Sequence, residues 1–405
     1  MSRKRVTLLS LHYSPEQTGN APYAAGLAKG LAARFDVDVV TAHPHYPEWR
    51  IAPGYGGWRR TEGSGNLTVH RLRHFVPKKP TGIGRIVSEG TFAARTLSPR
   101  IPRPDVVLTM TPALAPVASA LALGRRWRVP VGVIVQDLYS KAFSELGLMG
   151  GRLNEPAFRL EASLLRRASG VVSIHPSMAK VICRDFGVSD DQIAVVPNWT
   201  HVTPPTGDRT ARRRELGWDD GKFTVVHAGN MGAKQGLEHL IPVGRMLDSG
   251  LRDVRLVLIG NGGHREQLEN AARGISSIEF MDALPSDTFM DTLSAADALL
   301  LHERPGMKEM CVPSKLTTYF AAKRPILGVS EPESAASYEL RASGAGVQVR
   351  PGTPAALVSA LELLRSRDTN SLGEAGFAYA QSELSESSAI DRYVAFVESL
   401  LGENR

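Results

Sequence analysis

Short apolar runs rich in β-branched residues recur along the chain, separated by segments with helix-like spacing. In the first half they are VTLLSL (6–11), VDVVTA (37–42), DVVLTM (105–110), VPVGVIVQ (129–136), GVVSIH (170–175) and IAVVPN (193–198). In the second half they are FTVVHAG (223–229), VRLVLIG (254–260), IEFM (278–281), DALLLH (297–302), PILGVS (325–330) and GVQVR (346–350). Such runs read as buried parallel strands joined by crossover helices. Six units followed by six more predict an α/β protein of two doubly wound, Rossmann-like domains facing across a cleft. The segment 199–222 is rich in Pro, Gly and charge and reads as the connection between them. The expected domains are therefore 1–200 and 201–386. Beyond them, Ile390, Tyr393, Val394, Val397, Leu400 and Leu401 recur at helical spacing, which predicts an amphipathic helix within 387–405.

Composition agrees with this picture. At 405 residues, 42% hydrophobic and 22% charged, the chain suits two globular cores rather than disorder. Cys183 and Cys311 are the only cysteines, so no disulfide framework or cysteine metal cluster is expected, and a reducing, cytoplasmic setting follows. The apolar run after MSRKR is short for a signal peptide and reads as a first strand. The stretch 111–124 is too short to span a bilayer.

Charge separates the halves. Residues 1–205 carry 26 Lys and Arg against 14 Asp and Glu, a net +12, whereas 206–405 carry 22 against 27, a net −5. The basic clusters (Arg71, Arg73, Lys78 and Lys79; Arg125, Arg126 and Arg128; Arg166 and Arg167) are not interleaved with aromatic residues as a nucleic-acid stacking platform would be. An anionic membrane surface is the expected partner, and nucleic acid is not; a plainly solvated basic face would carry the same residues.

In open parallel sheets ligands bind outside the carboxyl ends of the strands, so the residues following each run are the candidates. The turn His12–Asn20, with Gly19, leads into a helix whose free amides suit a phosphate or sugar oxygen, although an ordinary helix start has the same pattern. Asp137, after the fourth run, could orient an acceptor hydroxyl, act as a base or cap a helix. His175 reads as structural. In the second half, GNMGAKQGL (229–237) combines Gly229, Gly232 and Gly236 with Lys234, a cation suited to a departing diphosphate. GNGGHREQLE (260–269) is a further glycine turn leading into a helix, with Asn261 and Gly262. In 303–327 the first-turn amides near Ser314, Lys315, Leu316 and Thr317 could hold phosphate oxygens, with Lys315 adding a point charge. Glu309 could face a donor sugar or simply be a solvated loop carboxylate. The absence of G-x-G-x-x-G after the first run of either half weighs against a nicotinamide-dependent oxidoreductase. A sugar-nucleotide epimerase or hydrolase, or a non-catalytic nucleotide-binding module, would share much of this pattern.

YSPEQTGNAPY, QDLYSKAF, GNMGAKQGLEHLI, LIGNGG and PSKLTTYFAAKRPIL, in this order over nearly the whole chain, resemble the retaining glycosyltransferases of family 4, which have the GT-B fold. The resemblance is to the bacterial type that builds colanic acid, capsule and O-antigen. It implies a donor-binding second domain, an acceptor-binding first domain and a terminal helix returning to the first. It implies a nucleotide-sugar donor, a glycan or lipid-linked acceptor and no obligatory metal or cofactor. By position, Lys234 and Ser314–Thr317 would bind the donor diphosphate, Asn261, Gly262, Ala283 and Leu284 would lie near the base, Gly19 would adjoin the donor phosphate, and Asp137 would adjoin the acceptor. The chain departs from the wider family in two places. Asn230 stands where that family has Arg, with its Lys displaced by one to Lys234. Of the family's paired glutamates, the first falls near Met310 or Glu309 and the second near Thr318.

Overall fold

The computed structural model describes every residue except 1–2, 18, 79–81, 99, 141–150, 201, 252, 308–313, 367–368 and 403–405. Contacts divide the chain into two compact units, residues 1–198 with 386–405, and residues 199–385.

Unit 1 is built on an eight-stranded sheet. Its strands are β1 (Arg5–Ser10), β2 (Asp36–Ala42), β3 (Arg59–Ser64), β4 (Leu67–Leu72), β5 (Val106–Met110), β6 (Val131–Val135), β7 (Gly170–Ser173) and β8 (Ile193–Val195), in the order β3-β4-β2-β1-β5-β6-β7-β8. All neighbours run parallel except β3 and β4. The central strands are buried on both faces, as in VTLLS of β1, because helices cover both sides of a parallel sheet. The crossovers include α1 (Ala21–Leu31), α2 (Gly82–Thr96), α3 (Leu114–Trp127), α4 (Gly151–Arg166) and α5 (Pro176–Phe186). Strand order reverses between β1 and β5, which opens a crevice at their carboxyl ends.

Unit 2 carries a wholly parallel six-stranded sheet of β9 (Phe223–Ala228), β10 (Val254–Ile259), β11 (Ile278–Met281), β12 (Ala298–His302), β13 (Ile326–Val329) and β14 (Gly346–Val349), ordered β11-β10-β9-β12-β13-β14. Here the order reverses between β9 and β12. Its helices are α6 (Arg209–Glu215), α7 (Leu240–Gly250), α8 (Arg265–Ala271), α9 (Ser286–Ala295), α10 (Ser314–Ala321), α11 (Ala335–Ser343), α12 (Pro354–Ser366) and α13 (Asn370–Glu383). One face of the sheet packs with Trp218, Leu293, Leu316, Tyr319 and Phe320, and the other with Met231, Leu240, Leu247, Leu361 and Leu364.

After α13 the chain returns to unit 1 as α14 (Glu386–Leu401). Three glycines make room for it. A Cβ at Gly30 would lie 2.6 Å from Ile390, and one at Gly132 or Gly170 would lie 2.8 Å from Phe396. Arg34 pairs with Glu398 at 2.7 Å beside this seam.

Two features differ from the sequence reading. The pattern of apolar runs passes over β3, because RRTEGS is a polar and largely exposed edge strand, and over β4, because LTVHRL buries polar side chains. His70 Nε2 sits 2.8 Å from Asp38 Oδ1, and Arg71 donates to the Ser14 carbonyl at 2.7 Å while stacking on Tyr55. Local partners therefore let a polar strand sit inside the sheet, between β3 and β2. The segment 199–222, expected to be a connection, belongs to unit 2. Asp208 caps α6, Arg209 and Arg213 both reach Asp297, and Trp218 is buried in the core. The change of unit falls at 198/199. Among the described residues no helix is long and apolar enough to cross a membrane.

Candidate functional site

The carboxyl edge of unit 2 is lined largely by backbone. The chain leaves β9 through Gly229 and β10 through Gly260, both with φ of +131°, and continues through Gly262 at +156°. A side chain at Gly260 would strike the Gly229 carbonyl, and one at Gly262 would lie 2.5 Å from the Met231 carbonyl and 2.7 Å from Asn230 Oδ1. The two turns thus lie against each other, which brings Asn230 and the Asn261–Gly262 turn together. The amide of Met231 donates to the Asn261 carbonyl at 2.9 Å. Arg265, the first residue of α8, holds the second turn by donating to the Gly260 carbonyl, Asn261 Oδ1 and Asp282 Oδ1 at 2.8, 2.6 and 2.6 Å.

Lys315, in the first turn of α10, lies directly beside this edge. A Cβ at Gly229 would lie 2.7 Å from its Cε, so the glycine makes space for the lysine stem. His227 Nδ1 lies 3.0 Å from the Leu300 carbonyl, which places its proton there and leaves Nε2 as the acceptor for Lys315 Nζ at 3.0 Å. Burial, then the Lys315 charge, drive the imidazolium well below its usual range, so His227 is a neutral acceptor. Burial lowers the Lys315 ammonium to about 8, partly opposed by the Glu303 carboxylate. Tyr319, one helical turn on, accepts from the Ala228 amide at 3.0 Å and ties α10 to β9. The result is a desolvated cation held against a glycine-lined backbone at the start of a helix, a setting in which an anion gains charge-assisted bonds.

The other predicted residues of unit 2 are placed as follows. Lys234 is half-buried within the Gly232–Gly236 turn, and its carbonyl accepts from the Arg304 amide at 2.9 Å. Leu316 points into the core, so only its backbone is available to a ligand, while Thr317 is half-buried. Leu284 packs on the same core cluster, and Ala283 is exposed. Ser314 begins α10. Glu309 and Met310 lie outside the described residues.

The crevice of unit 1 is built from side chains instead. A cavity of about 120 Å³ is lined by His12, Asn20, Tyr46, Trp49, Glu89 and Tyr139, among others. Glu16 braces its rim. One carboxylate oxygen lies 2.8 Å from His12 Nδ1, and the other accepts the amides of His45 and Tyr46 at 2.7 and 2.9 Å. Burial alone would raise the Glu16 carboxyl, but His12 and these amides outweigh it and hold it low. His12, Glu16 and His45 each bring a ligand atom within 4.8 Å of the others, the one grouping among the described residues with metal-ligand character. Both Glu16 oxygens and His45 Nδ1, which faces the His43 carbonyl at 2.9 Å, are already engaged, so the set acts as a loop brace. Glu89 has the opposite environment. Burial raises its carboxyl to about 7, against the Leu114 amide and Arg85. Arg85 lies over the Trp49 ring, 5.4 Å from its centre.

Asp137 is half-buried after β6, and Thr111 Oγ1 donates to its carbonyl at 2.9 Å. Glu161, buried, accepts the amides of Tyr139 and Ser140, both at 2.9 Å, and fixes the rest of that turn. It is Tyr139 rather than Asp137 that lines the cavity. Gly19 has φ of +63° with open space around it. His175 caps α5, its Nδ1 accepting from the Ser177 amide at 3.0 Å. The sequence reading did not single out His227, Glu303, Glu16, Tyr46, Trp49 or Glu89. HPHYPEW, directly after β2, held a signal for two of them, because Tyr46 and Trp49 follow a strand's carboxyl end, where ligands bind in open parallel sheets.

Comparison with known proteins adds the family context. Residues 18–199 match the family described as a glycosyl transferase 4-like domain, and residues 222–366 match glycosyl transferases group 1. WcaI of Escherichia coli (strain K12), named for colanic acid biosynthesis glycosyl transfer, is 30% identical over 334 residues, spanning 78% of this chain and 81% of WcaI. WbjE of Pseudomonas aeruginosa, named as a glycosyltransferase, is 26% identical over 340 residues, spanning 80% and 82%. The structure of Anabaena HepE in complex with UDP superposes with a TM-score of 0.70 at 14% identity, covering 98% of this chain and 100% of HepE. That last likeness is one of fold.

Proposed function

We propose, for a chain that belongs to the glycosyltransferases through its 4-like and group 1 domains, that unit 2 holds a nucleoside-diphosphate sugar and unit 1 an acceptor hydroxyl. The sugar moves to that hydroxyl with retention of configuration. The observation that carries this reading is Lys315, a desolvated ammonium at the start of α10 set against the Gly229 backbone. As the bond from the anomeric carbon to the diphosphate breaks, negative charge grows on the leaving oxygens. Lys315, Lys234 and the first-turn amides of α10, from Ser314 to Thr317, stabilise it without a metal ion. The acceptor oxygen attacks from the same face and its proton passes to a leaving phosphate oxygen. Asn230, Asn261, Gly262 and Leu284 border the nucleotide, and Gly19 the phosphate. Asp137, after β6, adjoins the acceptor.

The aromatic faces of Tyr46, Trp49 and Tyr139 suit a sugar ring, and Asn20 and Glu89 suit its hydroxyls. At about 30 Å³ per water, the cavity has room for the end of one sugar rather than an oligosaccharide. The acceptor is a glycan or lipid-linked glycan of cell-surface polysaccharide, met at the inner, anionic face of a membrane. The name of WcaI and the charge asymmetry of the chain support this.

A thermal-shift series with UDP-, GDP- and dTDP-sugars tests the donor. The matching nucleotide stabilises by about 2.7 kcal/mol at a hundredfold excess over its dissociation constant. Lys315→Ala lowers sugar transfer by roughly 10²–10³. Wild-type rates in both Lys315→Ala and Lys234→Ala would show that the diphosphate binds elsewhere.

A further inference from the structure

Helix α2 has two unlike faces. Ser88, Phe92, Ala93 and Thr96 are buried, whereas Ile83, Ile86 and Val87 are 79%, 60% and 43% exposed. Gly90 and Ala94 continue the outer face, and Leu97 ends it just beyond the helix, 41% exposed. Positions 83, 86, 87, 90, 94 and 97 fall on one helical stripe about 20 Å long, free of charge, where a solvent-facing helix ordinarily carries polar residues. Two large apolar side chains flank it. Phe75, half exposed, is held beside the helix by its amide, which donates to Thr91 Oγ1 at 3.1 Å. Trp58, 71% exposed, is held by the Arg95 guanidinium 5.1 Å above its ring. Six of the ten large apolar side chains exposed among the described residues gather on this one surface, so it is a patch and not the scatter normal for a protein surface.

The rim of the patch is basic. Arg73 and Lys78 stand exposed on the Phe75 loop, and Arg95 lies along the helix. At its far end Arg126 donates to the Leu97 carbonyl at 3.4 Å and leads into an open groove of about 1150 Å³ lined by Arg125, Arg126, Arg128 and Arg167. Between positions 73 and 97 Glu89 is the sole acid, and it lines the cavity described above rather than the outer face. An uncharged stripe with a cationic rim matches the layered chemistry of a bilayer surface. Apolar groups enter the acyl boundary, while Lys and Arg stay among the headgroup phosphates. A second copy of the chain is a poorer occupant, since it would set one basic rim against another.

We propose that the outer face of α2, with Trp58 and Phe75, is a docking surface for an anionic lipid bilayer. This locates the surface at which a lipid-linked acceptor would be met, and it rests on that reading of the acceptor. The test is flotation with vesicles of phosphatidylglycerol and phosphatidylcholine, against phosphatidylcholine alone, for the whole chain. The wild type floats with the mixed vesicles and far less with the neutral ones. A triple variant, Ile83→Gln, Ile86→Gln and Val87→Gln, retains its melting temperature and loses roughly a hundredfold in partitioning. The pair Arg73→Gln and Lys78→Gln loses roughly tenfold, on anionic vesicles only, and the loss shrinks in high salt. Transfer to a soluble glycan acceptor is unchanged in the triple variant, because none of its three positions lines a substrate cavity. Equal flotation of wild type and triple variant, or no flotation of the wild type, overturns the proposal. So does a dimer that the triple variant converts to monomer without any vesicle binding. Flotation that follows the expected pattern supports the docking face even if no transfer to a soluble acceptor is detected, so the two readings fail separately.

Discussion

The two crevices lie at equivalent places in their sheets, outside the carboxyl ends of strands where the order reverses, yet they are made of different material. In unit 2 the walls are the backbones of Gly229, Gly260 and Gly262, with Lys315 as the principal cation. In unit 1 they are the rings of Tyr46, Trp49, Tyr139 and His12, with Glu89 among them. Backbone amides and one cation recognise what every nucleoside diphosphate shares. Ring faces and a carboxyl recognise the shape and hydroxyl pattern of a particular sugar. Substitutions in unit 2 should therefore act through geometry and be nearly all-or-none, whereas those in unit 1 should be graded and alter selectivity.

The sharpest break in this contrast is Gly260→Ala. The added methyl would meet the Gly229 carbonyl at a φ that L-residues rarely adopt, so stability falls by on the order of 3 kcal/mol and nucleotide binding is lost, as calorimetry would record. A conservative change in unit 1 is milder. Glu89→Gln raises the acceptor KM by roughly two- to tenfold with little change in kcat, since a hydrogen bond to a neutral group is worth about 0.5–1.5 kcal/mol. The same variant carries a pH signature. The Glu89 carboxyl rises from 4.5 to about 7 in the folded protein, so the native state holds the extra proton between those values. Wild-type stability thus declines as pH rises from 4.5 to 7, and Glu89→Gln flattens that part of a melting-temperature profile.

Lys315→Met separates function from stability. The folded ammonium, at about 8 against 10.5, sheds its proton more readily than the unfolded one. The burial cost is therefore full below about pH 8 and fades toward 10.5. The variant melts higher than wild type at neutral pH, loses that advantage as pH climbs, and shows no stabilisation by nucleotide. The smallest effect concerns His74, whose two ring nitrogens find no partner among the described residues. Burial pushes its imidazolium down to about 3, with the nearby His45, His12 and His43 adding to the shift. Wild-type stability is lost as pH falls from 6.5 toward 3, and His74→Phe should soften that acid limb while adding about 1 kcal/mol at pH 7. A steeper acid limb in the variant would mean that His74 has a polar role in unit 1.

The same contrast explains what could be read from the chain alone. All six strands of unit 2 show as apolar runs, most plainly the central β9, β10, β12 and β13, because strands buried on both faces leave no room for polar alternation. Unit 1 hides β3, a polar and largely exposed edge strand, and β4, whose buried His70 is hydrogen-bonded to Asp38 and whose buried Arg71 pairs with Glu62 and donates to the Ser14 carbonyl. Glycine turns and Lys315 announce themselves locally, since a turn leading into a helix is a short-range pattern. Glu89 does not. It lies mid-helix with no motif around it, and only the packing of α2 brings it to the same cavity as Tyr46 and Tyr139. His227 is similar, a polar residue in a mostly apolar strand, and gains meaning only when Lys315 arrives from far along the chain.

The seam around α14 also has a consequence for the order of events during synthesis. Gly30, Gly132 and Gly170 leave a furrow on unit 1 that Ile390, Phe396 and Leu400 fill. Those side chains leave the ribosome only after the whole of unit 2 has been made. Until then unit 1 has an open apolar trough, while unit 2 already has every strand it needs. The second half can therefore finish folding before the first, reversing the usual N-to-C order of domain maturation. For that interval the nascent protein is a completed second unit tethered to an unsealed first one, the stage at which a chaperone would find most to hold.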